Sequence, residues 1–591
     1  MRFSAIATLF WASLVAAQAD YPELNSEFLV TSSPVTPLPQ GFPWAGKTAN
    51  NTNAYYPYTG VIRNYDFTVK RERKAPDGYS KPVLIINGQF PAPLIEANWG
   101  DTIQVTVHNQ ITGPEEGTAL HWHGLLQKTS QWEDGVPGVS QCPIPPGGSF
   151  TYSFIADLYG SSWYHSHYSA QYAGGLVGPM IIHGPDTLKY DIDKGPILLT
   201  DWYHRDYNDI VEDAVGTDIN KIGPASDSNL INGRNNFDCA TVATGDTASC
   251  ISNAGITNFR FSPGKLHRLR LINAGAEGIQ KFSLDGHNMT VIANDFVPII
   301  PYDTKVVSLA VGQRTDVLVR GLAGATGAYI MRSSIAAAPC SLSSNPDATA
   351  IVYYKHDALT AGIFNTTAWP EFLASVADVC VNDDLTKTVP WYPITPDPNP
   401  PTTKVIDIDF HQNETGNWLW YMNDVSFRAN YNQPILLLSN MGNNSYPDSP
   451  EWNVENFGSN SSVRIVINNN GAAGFLAHPI HLHGHNMFVL DVGLGSWDGS
   501  TVINPFNPQR RDVQILPANG YMVLQFTADN PGAWPLHCHI AWHVSAGLYV
   551  TVLERPDDIA KLQIPSVIAQ TCRDWSAFTN TTVLNQIDSG L

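Results

Sequence analysis

The sequence predicts an all-β protein assembled from β-sandwiches, and three observations carry that expectation. Short runs rich in β-branched and aromatic residues recur between turn-forming Gly, Pro, Asn and Asp. No long stretch keeps the apolar spacing of an extended amphipathic helix, and PEFLASVADVC alone predicts a short one. Two runs near opposite ends of the chain, DTIQVTVHNQ and SVRIVINNN, resemble each other, and each leads into a histidine motif, which points to a repeated domain plan.

In chain order, MRFSAIATLFWASLVAAQA sets Arg2 ahead of an apolar run and closes on Ala17-Gln18-Ala19, the layout of an export signal cleaved before Asp20. Residues 1–19 are therefore set aside from the fold. KPVLIING, DTIQVTVHNQ and FTYSFIA read as strands of a first domain, 20–184. GPDTLKYDIDKGP reads as a linker into a second domain, 185–357, with strands HRLRLINAG and TDVLVRG. A linker over 358–402 ends in the proline-rich WYPITPDPNPPTTK, and a third domain, 403–591, holds SVRIVINNN and YMVLQFTAD. The 591 residues, 43% hydrophobic and 11% aromatic, are enough for a large buried core.

Charge and cysteine usage narrow the function. A net charge of −20 repels phosphate backbones and anionic lipid, so nucleic acid is not an expected partner. After the export signal no run is apolar and long enough for a membrane span, and the protein is expected outside the cell, in the medium or on the cell wall, working as a monomer. Seven Asn-x-Ser/Thr sites, at Asn50, Asn288, Asn365, Asn413, Asn443, Asn460 and Asn580, are open to glycosylation in such a route. Seven cysteines leave one over after three disulfides, and Cys538, flanked by His537 and His539, is the candidate for the odd one.

Four clusters hold ten of the 18 histidines: His121-Trp122-His123, His165-Ser166-His167, His478-Pro479-Ile480-His481-Leu482-His483 and His537-Cys538-His539 with His543. On a strand, residues i and i+2 share a face, so each His-x-His pair aims two imidazoles at one side. A single such pair is more simply a surface pair or a stray zinc site. Four pairs supply eight imidazoles, more than one four-coordinate metal uses, and suit a multi-metal cluster between the first and last domains. The same alternation turns Cys538 away from that cluster toward a separate site with His478 and His543, the His2Cys pattern of a blue-copper centre. The remaining histidines, at 108, 183, 204, 267, 287, 356, 411 and 485, read as ordinary surface or core residues.

With those residues in view the chain resembles the multicopper oxidases, and among them the fungal laccases of the ascomycete type. The resemblance is carried by HWHGLLQKTSQWEDGVPGVSQCPI, WYHSHYSAQYAGGLVGPMIIHGP, HPIHLHGHNMFVL and GAWPLHCHIAWHVSAGLYVTVLERP, and runs from about residue 60 to the end. It implies three cupredoxin-like Greek-key domains and four coppers: type 1 on His478, Cys538 and His543; type 2 on His121 and His481; one type 3 on His123, His165 and His539; the other on His167, His483 and His537. It implies one-electron oxidation of a phenolic or other aromatic reductant and reduction of dioxygen to water. Leu548 falls where other members place an axial methionine, and a missing axial donor raises the type 1 potential. Asp134 matches the family acid near type 2 and otherwise reads as a turn residue. Trp542 is expected to line the rim where the reductant docks, or else to pack the sandwich. Cys142 with Cys572 and Cys340 with Cys380 match family bridges, and Cys239 with Cys250 reads as a local loop bridge. That loop falls where a substrate-orienting carboxylate is expected, leaving Asp246 as a weak candidate. Asp588-Ser589-Gly590-Leu591 matches an ending that plugs a tunnel to the cluster in related laccases.

Two narrower alternatives stand beside this: an oxidase dedicated to one fungal pigment or phenolic metabolite, and a ferroxidase, for which NNNGAAGFLA offers no acid to hold ferrous iron. A non-catalytic copper carrier needs only His478, Cys538 and His543 and leaves eight histidines unexplained.

Overall fold

The computed structural model describes residues 21, 23, 24, 29, 44–50, 56–360, 366–471, 473–582 and 586–591, so the expected export signal and the Asn365 site lie outside the described residues. All seven runs read as strands form strands. Their alternation is cleanest in Thr102–Asn109, whose residues switch between part-exposed and buried at every step.

Six sheets pair into three sandwiches on one repeated plan. In the first domain Ile62–Lys74 runs parallel to Thr102–Asn109, which runs antiparallel to Ser149–Ile155. Ile192–Trp202, Leu266–Asn273 and Arg314–Arg320 repeat that order in the second domain. Thr402–Gln412, Ser462–Asn469 and Gly520–Thr527 repeat it in the third. The opposing sheets repeat as well, each opening with a short parallel pair: Ile95–Asn98 on Val177–His183, Asn258–Arg260 on Asp347–Tyr353, and Val454–Asn456 on Tyr549–Glu554. The matching crossovers account for the sequence likeness of DTIQVTVHNQ and SVRIVINNN. The chain is thus all-β in three cupredoxin-like domains.

A continuous apolar core joins the first and third domains and takes in part of the second, Trp202, Ile210 and Ile272 among it, while a separate core fills the rest of the second. The expected short helix forms at Pro370–Asp378. The stretch around it is anchored by Cys340–Cys380 and by backbone bonds from Ile300 to Val389 and from Trp391 to Pro298. A longer helix, Ser566–Phe578, was not foreseen; it buries Ile568, Thr571 and Trp575 and is tied to the first domain by Cys142–Cys572. Cys239 pairs with Cys250, and Cys538 is the free, buried cysteine. Among the described residues no helix is long and apolar enough to cross a membrane.

Candidate functional site

The paired histidines sit at strand ends, and register brings them together. His121 lies opposite His165 across neighbouring strands of the first domain, and His481 opposite His537 in the third. The two sets meet face to face: the rings of His121 and His483 are 4.0 Å apart, and those of His123 and His481 also 4.0 Å. All eight are buried.

Backbone and carboxylate acceptors fix which nitrogen points inward. Nδ1 of His121 donates to the Asp134 carbonyl at 2.8 Å, His165 to Ser166 at 2.9 Å, His537 to Cys538 at 2.8 Å, and His481 to Asp512 at 2.8 Å. His483 Nδ1 donates to the Asp134 carboxylate at 3.0 Å. Each of these rings therefore turns an unprotonated Nε2 toward the centre. In His121, His165 and His481 that buried atom has no partner, whereas the Nε2 atoms of His483 and His537 face each other at 3.2 Å. His123 is reversed: Nε2 meets Asp512 at 3.1 Å and Nδ1 lies 3.2 Å from His539 Nε2. Lone pairs converging in a buried cavity repel unless a cation lies between them, so the donor set fits bound metal. Donor atoms of His167, His483 and His537 lie within 4.8 Å of one another, as do those of His121, His481 and His483.

The separate set forms as alternation predicts. Cys538 Sγ lies 3.6 Å from Nδ1 of His478 and 3.6 Å from Nδ1 of His543, and those two nitrogens are 3.1 Å apart. Burial pushes His478 down to about 3 and His537 to about 4 and lowers His543 as well, holding these three imidazoles neutral, the metal-binding form. Burial also pushes the Cys538 thiol up, so its thiolate needs a cation beside it. Leu548 is wholly buried, and its backbone bonds to both Cys538 and His543. Trp420, not foreseen, covers this set with its ring 4.8 Å from His478 and 4.7 Å from His543.

Two expectations need correction. Trp542 is 2% exposed and donates from Nε1 to the Tyr203 hydroxyl at 3.2 Å, so it packs under Tyr203 and does not line a rim; His543 is the partly exposed member of its set. Asp246 is bonded to Tyr79 on the surface. The carboxylate beside Trp542 is Glu277, which accepts from Tyr203 at 3.4 Å. Asp201 shapes its loop by accepting the backbone N–H groups of Ala276, Glu277 and Gly278 at 2.6, 2.8 and 2.6 Å. Burial and the Asp201 charge push the Glu277 carboxyl up to about 8. Glu277 escaped notice because NAGAEGIQ carries no histidine and no spacing signal.

Asp134 meets two rings of the histidine cluster, His121 and His483, from different domains and is 1% exposed. The tail is seated beside the cluster. Asp588 accepts from Ser169 at 2.5 Å, Gly590 accepts from Ser169 and Tyr431, and Leu591 lines a small cavity with His165, His167, His537 and His539.

Residues 68–187, 193–357 and 395–558 each match a family model described as multicopper oxidase. Oxidoreductase OpS5 of Beauveria bassiana is 40% identical over 90% of this chain and 88% of that protein. Laccase-1 of Botryotinia fuckeliana is 37% identical over 92% of each. The crystal structure of the Botrytis aclada laccase is similar at TM-score 0.83 and 35% identity, covering 93% of this chain and 98% of that one. Fet3p, a multicopper oxidase that functions in iron import, is similar at TM-score 0.76 and 25% identity, covering 87% and 95%.

Proposed function

Because the chain belongs to the multicopper oxidase family and is a copper oxidoreductase that uses oxygen, we propose that it is an exported, monomeric laccase-type oxidase of phenols that reduces dioxygen to water with four coppers. His478, Cys538 and His543 hold type 1; His121 and His481 hold type 2; His123, His165 and His539 hold one type 3 copper and His167, His483 and His537 the other. Copper held there would supply one-electron oxidation of the reductant at the first set and reduction of dioxygen at the cluster. The observation that carries this reading is the placement of Cys538 between His537 and His539, its sulfur facing His478 and His543 while its neighbours' rings face the cluster.

The surrounding residues divide the remaining work. Partly exposed Glu277 takes the proton a phenol sheds on losing an electron. Trp542 and Tyr203 pack the approach to His543. Leu548 offers no lone pair, which favours a strongly oxidising type 1 site. Asp134 orients His121 and His483 and lies where protons consumed in making water must arrive. The domain limits adopted are 20–184, 185–357 and 403–591, with 358–402 as linker.

A second reading is an oxidase dedicated to one phenolic metabolite: OpS5, 40% identical, is named an oxidoreductase and not a laccase. Rates and products over a panel of phenols and naphthols separate the two: broad turnover supports the general laccase, and one preferred substrate with one product the dedicated enzyme. Rapid oxidation of ferrous iron with inert phenols would overturn both.

A further inference from the structure

The Cys239–Cys250 bridge closes a surface loop whose end pairs with Tyr79 through an isolated bridge to Cys250. The loop presents exposed Asp246 to the Tyr79 hydroxyl, which donates to Oδ2 at 2.6 Å. Tyr79 is itself partly exposed, and its ring lies flat on His204, the centroids 3.9 Å apart and the planes 8° from parallel. His204 is fixed by Asp77 at 2.8 Å and by the edge of Phe237 at 4.6 Å. Its chain neighbour Tyr203 sets its hydroxyl 3.2 Å from Trp542 Nε1, with ring centroids 5.2 Å apart, and Trp542 precedes His543 in the chain. One ring stack, one hydrogen bond and two peptide linkages therefore join the surface at Tyr79 to the Cys538, His478 and His543 set.

We propose that Tyr79 is a second electron-entry site, serving phenolic polymers too bulky to bring a ring against the partly exposed edge of His543. The inference rests on the laccase-type reading above. Tyr79 gives one electron along this path toward the oxidised copper of the Cys538 set and its phenolic proton to the Asp246 carboxylate, leaving a tyrosyl radical. A phenol group of the polymer then gives one electron to that radical, Tyr79 recovers its proton from Asp246, and the polymer's proton passes to water. The net change is loss of one electron and one proton from the polymer phenol.

Asp246 is suited to this exchange because the hydrogen bond from Tyr79 holds its carboxyl below the usual range, keeping it ionised as an acceptor. Burial and Asp246 push the Tyr79 hydroxyl up to about 12, so the phenol keeps its proton until it is oxidised. A phenylalanine would stack on His204 equally well, so the hydroxyl and its carboxylate are what packing alone leaves unexplained.

The test compares copper-loaded wild type with Tyr79→Phe and Tyr79→Trp on two reductants, free 2,6-dimethoxyphenol and the same phenol grafted to a large dextran. Tyr79→Phe is expected to lose about fivefold or more in kcat/KM on the polymer while staying within about twofold on the free phenol. Tyr79→Trp, whose indole can also be oxidised, should recover most of the loss. Independently, wild type turning over the polymer with a nitroxide trap should carry an adduct on the Tyr79 peptide by mass spectrometry, absent from Tyr79→Phe. Parallel losses on both reductants, no loss on the polymer, or no adduct on Tyr79 overturns the proposal. If wild type oxidises neither reductant, the laccase-type reading has failed; if it oxidises only the free phenol, this inference alone has failed.

Discussion

Asp512 binds His123 twice over, directly through its carboxylate at 3.1 Å and indirectly by fixing, through its backbone carbonyl, the His481 ring stacked on His123. Arg314 of the second domain grips the same carboxylate at 2.5 and 2.7 Å, and Asp295 and Arg511 complete a buried charge network. All three domains thus meet at one side chain next to the cluster. Asp512→Asn keeps the shape but leaves two buried guanidiniums against one carboxylate, a change expected to cost about 3–5 kcal/mol. It also frees the His123 tautomer, which should weaken copper retention about 10–100-fold. Copper per chain and the near-ultraviolet absorption expected of the proposed type 3 pair are the readouts. Full copper and an intact band with only a lower Tm would reduce Asp512 to a structural staple.

Glu277 makes the pH dependence of phenol oxidation predictable. With its carboxyl pushed up to about 8, it is protonated below that pH and accepts a proton only above it. Wild-type kcat/KM for a phenol should therefore climb through this region, and Glu277→Gln should stay flat and fall about 100-fold below wild type at the alkaline end. A donor that loses an electron without a proton should not distinguish the two enzymes. Stability moves the other way. The folded carboxyl keeps a proton that the unfolded chain releases near the ordinary 4.5, so this group's contribution is fully present below 4.5 and lost as pH rises through about 8. Glu277→Gln, uncharged throughout, should gain in Tm relative to wild type between pH 6 and pH 9.

The gathering of the histidines and Cys538 is legible in the sequence because its information is local. Alternation along a strand decides which way His537, Cys538 and His539 face without reference to any other part of the chain. The groups that set tautomer and charge are not local: His123 and Asp512 are 389 residues apart, and nothing in QRRDVQIL marks its aspartate as a partner for an imidazole. The rim position expected of Trp542 fails for the same reason, since only the fold reveals that Tyr203 covers it. The helix Ser566–Phe578 did leave a trace. Ile568, Thr571 and Trp575 are spaced for one helical face, but the threonine among them breaks the apolar stripe.

The Cys142–Cys572 bridge spans 430 residues and fastens the last long helix to the first domain. Cross-linking so distant a pair restricts the unfolded chain strongly, so Cys142→Ser with Cys572→Ser should lower stability by about 2–5 kcal/mol. The proposed copper ligands are untouched, so the blue absorption should persist at room temperature while the unfolding midpoint falls. Loss of colour at room temperature would instead mean that the bridge shapes the centre itself.

On the proposed assignment, Leu548 offers the cleanest control over the oxidising power of the type 1 site. Its backbone is tied to the ligands on both sides, Cys538 donating to its carbonyl at 3.1 Å and its own N–H donating to His543 at 3.0 Å. A substitution there therefore changes the side chain beside the metal set with little freedom for the backbone to move. Leucine and methionine have similar volumes, so Leu548→Met should cost less than about 1.5 kcal/mol. A thioether donates a lone pair where leucine cannot, which stabilises the oxidised copper and lowers the potential. Redox titration of the blue band should show a lower midpoint, and the rate loss should grow with the potential of the phenol, being smallest for the most easily oxidised. An unchanged midpoint in a fully coppered variant would place Leu548 in packing alone.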